Sequence, residues 1–335
     1  MTSIPHDQIV SHIKKYGDIS FSTFMEMALF DKEYGYYNTS KVFGEKGDFI
    51  TSPITSSLFG ESLANEFVNL SKNSSPMSII EIGGGDGSMA ISMIKHLQNA
   101  SCLPEQYIIV ESSSKLVKEQ KITLVNHFKN IPNIISWKKN IDNITPTNGM
   151  IIANEFFDVI PTERFQYSKK KFNKLFVTTS SNKLDYKWIE DSNLDNLFEQ
   201  SCNNHKINLI DGYVSELNGN YNIWIEKISN FLLKGIIFII DYGYHAREYY
   251  LDDRNSGTLV CMNNHIPNFN PLNDIGHQDI SSFVNFSHLS KISSQYDLKT
   301  LGYLSQSSLL INLGILDIYN KKKINNNLPE LNNLK

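Results

Sequence analysis

Cysteine, arginine and long apolar runs are all scarce in this 335-residue chain. The three cysteines, Cys102, Cys202 and Cys261, are odd in number and far apart, with no C-x-x-C pair. That excludes a disulfide framework and a cysteine zinc knuckle, and it suits a reducing compartment. Arginine occurs only at Arg164, Arg247 and Arg254, so lysine supplies nearly all of the 31 basic residues. With Asn and Ile also abundant, this reads as genome composition. No run approaches the roughly 18 apolar residues of a membrane span. The opening Met1-Thr2-Ser3-Ile4-Pro5-His6-Asp7 has no basic, apolar or arginine-rich leader pattern. No signal or transit peptide is read, and a cytoplasmic bacterial protein is the simplest expectation. The net charge of -4 argues against nucleic-acid binding through a broad basic face. At 41% hydrophobic and 20% charged, the chain has an ordinary globular composition, long enough for one large domain or two.

Glycine is concentrated where it matters most. Ser78-Ile79-Ile80-Glu81-Ile82 is an apolar run with a carboxylate near its end, and Gly83, Gly85 and Gly87 follow at alternate positions. From Ser88 to Leu97 the apolar residues recur at helical spacing. The stretch predicts strand, tight turn and helix, the first βα unit of a nucleotide-type site. A dinucleotide fingerprint needs its third glycine at the position held by Ser88, and a P-loop needs a lysine that is absent. What remains, E-x-G-x-G-x-G, is similar to the turn of S-adenosylmethionine (AdoMet) methyltransferases. The alternative is an ordinary tight βα turn. Gln106-Tyr107-Ile108-Ile109-Val110-Glu111 is a second apolar run ending in an acid, placed as an acid that hydrogen-bonds ribose hydroxyls would be.

Strand and helix patterns then alternate: strand 78–82, helix 88–99, strand 106–111, helix 113–128, a short strand near 134–137 and strand 149–153. This predicts a doubly wound α/β sheet. The last of these strands runs into Asn154-Glu155-Phe156-Phe157-Asp158. An amide and two carboxylates thereby fall at a strand's carboxyl end, the edge where ligands sit in such sheets. The alternative is a solvated turn with Asp158 as a helix cap. Before the sheet, residues 5–30 read as two helices, the first with a stripe of Ile9, Ile13 and Tyr16. Residues 58–70 read as another. The tyrosines of Asp31–Tyr37 read as aromatic packing, and Gly47-Asp48-Phe49-Ile50-Thr51-Ser52-Pro53 as a loop. After the sheet, 164–217 reads as an insertion with one hairpin, 218–233 as a helix carrying Leu232, and 235–244 as a buried strand. Residues 281–286 read as an edge strand, and 320–327 as loosely ordered. His265 and His277 are not at metal-ligand spacing, so no metal is expected.

Five stretches occur together and in order: Gly47–Pro53, Glu81–Gly87, Asn154–Asp158, Ile240-Asp241-Tyr242-Gly243 and Gly257-Thr258-Leu259. They resemble the MidA-type family of AdoMet-dependent methyltransferases. The resemblance runs from about residue 6 to about residue 318. It implies an α/β, Rossmann-like class I methyltransferase sheet with a helical N-terminal extension and a β-rich insertion. The expected domains are an extension at 1–75 with a loop over the cofactor site, a core at 76–163 and 218–318, an inserted subdomain at 164–217, and a tail at 319–335. It further implies methyl transfer to a protein arginine, with assistance to respiratory complex I assembly as in the mitochondrial members. A eukaryotic source would place the protein in the mitochondrial matrix. The expected partner is a protein bearing an arginine, such as a complex I subunit, and a homodimer stays open. Glu81, Gly83, Gly85, Gly87, Glu111, Thr51, Pro53 and Asn154 are the candidate AdoMet contacts. Glu155 and Asp158 are the candidates for holding the guanidinium, with Asn154 orienting and Asp48 in second rank. Departures are Gly84 where the family tends to have proline, Asp86 where it often has arginine, and Asn285 for an aspartate. Two readings compete: a small-molecule O- or N-methyltransferase, and a non-catalytic AdoMet-binding assembly factor.

Overall fold

The computed structural model describes residues 4–40, 42, 53, 56–72 and 77–324. In chain order, α1 (Ile4–Tyr16), β1 (Ile19–Ser20), α2 (Phe21–Phe30), α3 (Tyr36–Thr39) and α4 (Ser57–Ser71) come first. Then β2 (Ser78–Ile82), α5 (Ser88–Asn99), β3 (Tyr107–Val110), α6 (Ser114–Phe128), β4 (Ile135–Lys138) and β5 (Thr147–Asn154) alternate. Next are β6 (Glu163–Ser168), β7 (Lys171–Ser180), β8 (Lys183–Glu190), α7 (Asn193–Cys202), β9 (Tyr213–Leu217), α8 (Tyr221–Phe231) and β10 (Leu232–Ile240). The rest are β11 (Gly243–Tyr244), α9 (Ala246–Tyr249), β12 (Val260–Asn263), β13 (Ile266–Asn268), β14 (Asp279–Ser281), β15 (Val284–Asn285), α10 (Phe286–Gln295), α11 (Gln306–Asn312) and α12 (Ile315–Ile324).

The chain divides into two compact units. One comprises Phe43–Asn154, Asn230–Ile240 and Leu301–Lys335. Its sheet has the order β10-β5-β2-β3-β4, and every neighbouring pair is parallel. The order reverses between β2 and β5, the switch point where open α/β sheets bind ligands beyond the strands' carboxyl ends. All five residues of β2 and all four of β3 are buried, as expected of parallel strands covered on both faces. Ile79, Tyr107, Ile109 and Ile152 form one core with Met93 and Leu97 of α5 and Leu63 and Phe67 of α4. This is the fold read from the sequence, and α5 keeps its expected bounds.

The other unit comprises Met1–Val42, Glu155–Ser229 and Asp241–Thr300. Its main sheet runs β1-β7-β6-β9 with β8 beside β7, all antiparallel. Two hairpin tips are left-handed at both central residues, Lys169-Lys170 and Ser181-Asn182. That geometry matches the twist of the flanking strands.

Several expectations are corrected. Tyr16 is 66% exposed and does not join the stripe with Ile9 and Ile13. Leu232 opens β10 instead of closing the preceding helix, which spans Tyr221–Phe231. β10 pairs only with β5 and is an edge strand with Ile240 its one buried residue. The insertion holds a second hairpin and a helix, β8 and α7. The stretch near 281–286 splits between β14, β15 and α10. Of the expected tail, 320–324 belongs to α12, and 325–335 lies outside the described residues.

Candidate functional site

In the unit with the parallel sheet, the glycine turn is built by backbone that side-chained residues rarely adopt. Gly83, Gly85 and Gly87 have φ of 75°, 52° and 89°, the left-handed region that favours glycine. Gly83 N–H donates to the Val110 carbonyl at 3.0 Å, and Gly87 N–H to the Gly84 carbonyl at 2.9 Å. Asp86, one residue before the Gly87 N-cap of α5, accepts from Ser88 N–H at 2.9 Å and from the Ser88 hydroxyl at 2.8 Å. A carboxylate there also suits the positive end of the helix dipole. Asp86, a departure from the family pattern, thus holds the start of the helix.

Glu81 and Glu111 flank this turn at the ends of β2 and β3. Glu81 is buried, and the Tyr107 hydroxyl donates to its Oε2 at 2.7 Å. Its Oε1 is buried with no hydrogen-bond partner among the described residues. Burial pushes the Glu81 carboxyl up to about 8, against the pull of the Tyr107 hydroxyl. Glu111 accepts from Ser113 N–H at 2.9 Å, and burial pushes it up to about 7. Sequence reasoning missed the residue that joins the two ends. Gln120 of α6 is fully buried. Its amide nitrogen lies 3.0 Å from the Gly85 carbonyl and 3.3 Å from Glu111 Oε2, and its carbonyl accepts from the Trp137 indole at 2.8 Å. The signal was present: Leu116, Gln120 and Leu124 are the buried residues of α6, at i, i+4 and i+8, where a third apolar residue would be expected.

These residues fit AdoMet. A buried carboxyl oxygen without a donor and a second strand-end carboxylate are acceptors for an ammonium and for ribose hydroxyls. Asn154 is the last residue of β5, in register with Ile240 of β10. Pro53 lines a cavity of about 890 Å³ with Ser57, Ser88, Ser92 and Lys322, and none of the glycines, Glu81, Glu111 or Asn154 is among its lining residues. Asp48 and Thr51 lie outside the described residues.

The second unit gathers the other candidates. No helix starts at Asp158. Instead the turn 156–158 hangs on Asp241, whose Oδ2 accepts from the N–H groups of Phe156, Phe157 and Asp158 at 3.1, 2.8 and 3.2 Å. Its Oδ1 accepts from Tyr242 N–H at 2.9 Å. Glu155, just before the cradled residues, has a φ of 48°, a conformation that costs a residue with a side chain about 1–3 kcal/mol and persists where its surroundings enforce it. On the far side, the Asp158 carbonyl accepts from Ser282 N–H at 2.9 Å. Three more acids act on Asp158. Burial first, then the charges of Asp241, Asp279 and Glu155, push its carboxyl well above the usual range, and its Oδ1 is buried without a hydrogen-bond partner among the described residues. Burial also pushes Asp241 up, to about 7, against its backbone N–H donors. Asp158 and Asp241 therefore titrate together and not as two independent acids. Tyr37 donates its hydroxyl to Asp279 Oδ1 at 2.9 Å, and Tyr242, 60% exposed, stands beside Asp241. Among the described residues no His, Cys, Asp and Glu group could hold a metal ion.

The Gly257-Thr258-Leu259 stretch supports this cluster from behind. Glu216 is buried and accepts from Thr258 N–H at 2.8 Å and from its hydroxyl at 3.0 Å. Arg164 Nε lies 3.4 Å from Glu216 Oε1. Thr258 Oγ1 in turn accepts from Phe283 N–H at 3.0 Å, fixing the backbone next to the Ser282 donor to Asp158.

The comparisons with known proteins point to an AdoMet-dependent methyltransferase. A family model described as "Putative S-adenosyl-L-methionine-dependent methyltransferase" matches residues 58–304. The mitochondrial protein arginine methyltransferase NDUFAF7 of Mus musculus is 27% identical over 335 residues, covering 90% of this chain and 72% of its own. The Homo sapiens protein of that name is 27% identical over 337 residues, covering 90% and 71%. A Burkholderia thailandensis protein solved with S-adenosyl-homocysteine bound superposes with a TM-score of 0.88 at 25% identity, over 98% of this chain and 86% of that one.

Proposed function

The chain belongs to this family of S-adenosyl-L-methionine-dependent methyltransferases, and from that premise we propose that it methylates the guanidinium of a protein arginine. The observation that carries the reading is the acid cluster. Asp158 is surrounded by the negative charges of Asp241, Asp279 and Glu155, and clustered carboxyls that repel one another are relieved by a bound cation. A guanidinium is permanently cationic and planar, with five donors that match carboxylates in pairs. The relatives named as protein arginine methyltransferases support the same acceptor.

Bound AdoMet supplies an electrophilic methyl group on a sulfonium. The protein's part is alignment, charge placement and proton removal. Glu155 and Asp158 hold the guanidinium by two edges and orient one nitrogen, which supplies rate by positioning. Their charge draws the cation's positive density away from that nitrogen. Transfer would break the sulfonium's bond to its methyl carbon, leaving neutral S-adenosylhomocysteine, and the newly methylated nitrogen gives up its proton to a carboxylate, for which Asp158 is the candidate because burial and its neighbouring acids raise its proton affinity. Asn154 orients acceptor or cofactor from the end of β5. A complex I subunit is a candidate acceptor. The cytoplasm of a bacterium, or the matrix if the source is eukaryotic, is the matching compartment, and no helix among the described residues is long and apolar enough to cross a membrane.

The test is labelled AdoMet with extract from the same source, read by mass spectrometry for methylarginine. Glu155→Gln and Asp158→Asn should each cut turnover by about 100-fold or more. Label found on no arginine, or full turnover in both folded variants, would sink the proposal.

A further inference from the structure

Gln120 is a glutamine where the fold asks for leucine. It sits between Leu116 and Leu124 on the buried stripe of α6 and is itself fully buried. A buried amide is costly unless its hydrogen bonds are made, and here both ends are used. The Trp137 indole can only donate, so the oxygen of the amide must face it, at 2.8 Å. The amide orientation is therefore fixed, and its nitrogen must face the Gly85 carbonyl and Glu111 Oε2, at 3.0 and 3.3 Å. The turn is cut to admit it: a Cβ on Gly84 would lie 3.1 Å from the Gln120 nitrogen.

We infer that Trp137 and Gln120 form a positioning relay, which holds the Glu111 carboxylate and the Gly85 backbone in fixed relation and so sets the recognition of the cofactor's ribose hydroxyls. Ser113 N–H holds Glu111 Oε1 and Gln120 holds Oε2, so the carboxylate cannot rotate while keeping both. The Ser112 N–H also serves this carboxylate, and a carboxylate with about four lone-pair sites still has room for a hydroxyl donor. The inference concerns the cofactor and is independent of which acceptor is methylated. It rests on Glu111 meeting the ribose.

The experiment is calorimetric titration with S-adenosylhomocysteine and with its 2′-deoxy and 3′-deoxy analogues. Hydroxyl bonds to a held carboxylate should favour the full ribose by about 10- to 100-fold over the weaker-binding analogue. In Gln120→Leu that ratio should fall toward one, through loss of affinity for the full ribose while the analogue is little changed. Trp137→Phe, which keeps the ring packing and removes only the donor, should lower the ratio by a smaller factor. Glu111→Gln should collapse it as well. Equal weakening of full-ribose and deoxy ligands in Trp137→Phe, or an unchanged ratio in either relay variant, would reduce Gln120 to packing and overturn the inference. A wild-type ratio near one would also overturn it, because no hydroxyl would then be read.

Discussion

Replacing Glu81 by glutamine should stabilise the ligand-free protein, increasingly so as pH rises. Glu81 is 1% exposed, and one of its oxygens has no donor among the described residues. Burial moves its carboxyl from 4.5 to about 8. The folded state therefore holds this proton more tightly than the unfolded chain does. Stability from this group is fully present below about 4.5 and is lost as pH climbs toward 8. At about 1.4 kcal/mol per pH unit, about 5 kcal/mol is in play across the span, and about 3 kcal/mol of it is gone by pH 7. Glutamine keeps the shape and still accepts from Tyr107, but carries no charge to bury. The assay is urea unfolding of both proteins at pH 5, 7 and 9, followed by tryptophan fluorescence. The midpoints should nearly coincide at pH 5. They should separate by about 1–3 M urea at pH 7, for slopes of about 1–3 kcal/mol per molar, and further at pH 9. Parallel profiles, with one constant difference at every pH, would refute the reasoning, because Glu81 would then not titrate inside the fold.

Three further outcomes are expected. Asp241→Ala should cut turnover by about 100-fold or more through loss of the cradle under Glu155 and Asp158, whereas Asp241→Asn, which still accepts from the three N–H groups, should retain more of it; steady-state kinetics of both variants decide this. Asp158 must be deprotonated to hold a cation, and burial and its neighbouring acids push its carboxyl well above the usual carboxylate range, so KM for a cationic acceptor should rise as pH falls, with a slope approaching tenfold per pH unit for one proton; a flat profile from pH 9 to 5 would contradict it. Gly85→Val places a β-branched side chain at a φ of 52°, strained by about 1–3 kcal/mol, and should abolish AdoMet binding in calorimetry while the circular dichroism spectrum is kept.

The parts legible in the sequence were those with local causes. Apolar runs and alternate glycines placed β2, the turn and α5, because periodicity and backbone freedom are properties of neighbouring residues. Glu111 was legible for the same reason, as the acid at a strand's end. Gln120 was not, because its partners Gly85 and Trp137 are brought to it by the fold alone. Asp241 was visible as a strand-end acid, but its hold on residues 156–158 joins segments over 80 positions apart. Tyr37 read as aromatic packing, and it does stack on Phe30, yet its hydroxyl serves Asp279. The hairpin at Ser181-Asn182 was missed because no glycine marks it, although asparagine tolerates the left-handed region it occupies.

The close fit around Gly84 has a consequence for how such chains can diverge. A Cβ there would lie 2.6 Å from the Ile109 Cγ2 methyl, so the two positions compete for one volume. Relatives that place a proline in the turn must then have given up that methyl, and the residues aligned with 84 and 109 should covary: β-branched opposite glycine, unbranched or smaller opposite a side chain. In this chain the same rule makes Gly84→Ala more damaging alone than when paired with Ile109→Leu, so the order in which the two substitutions arrive would decide whether Gly84→Ala can be kept.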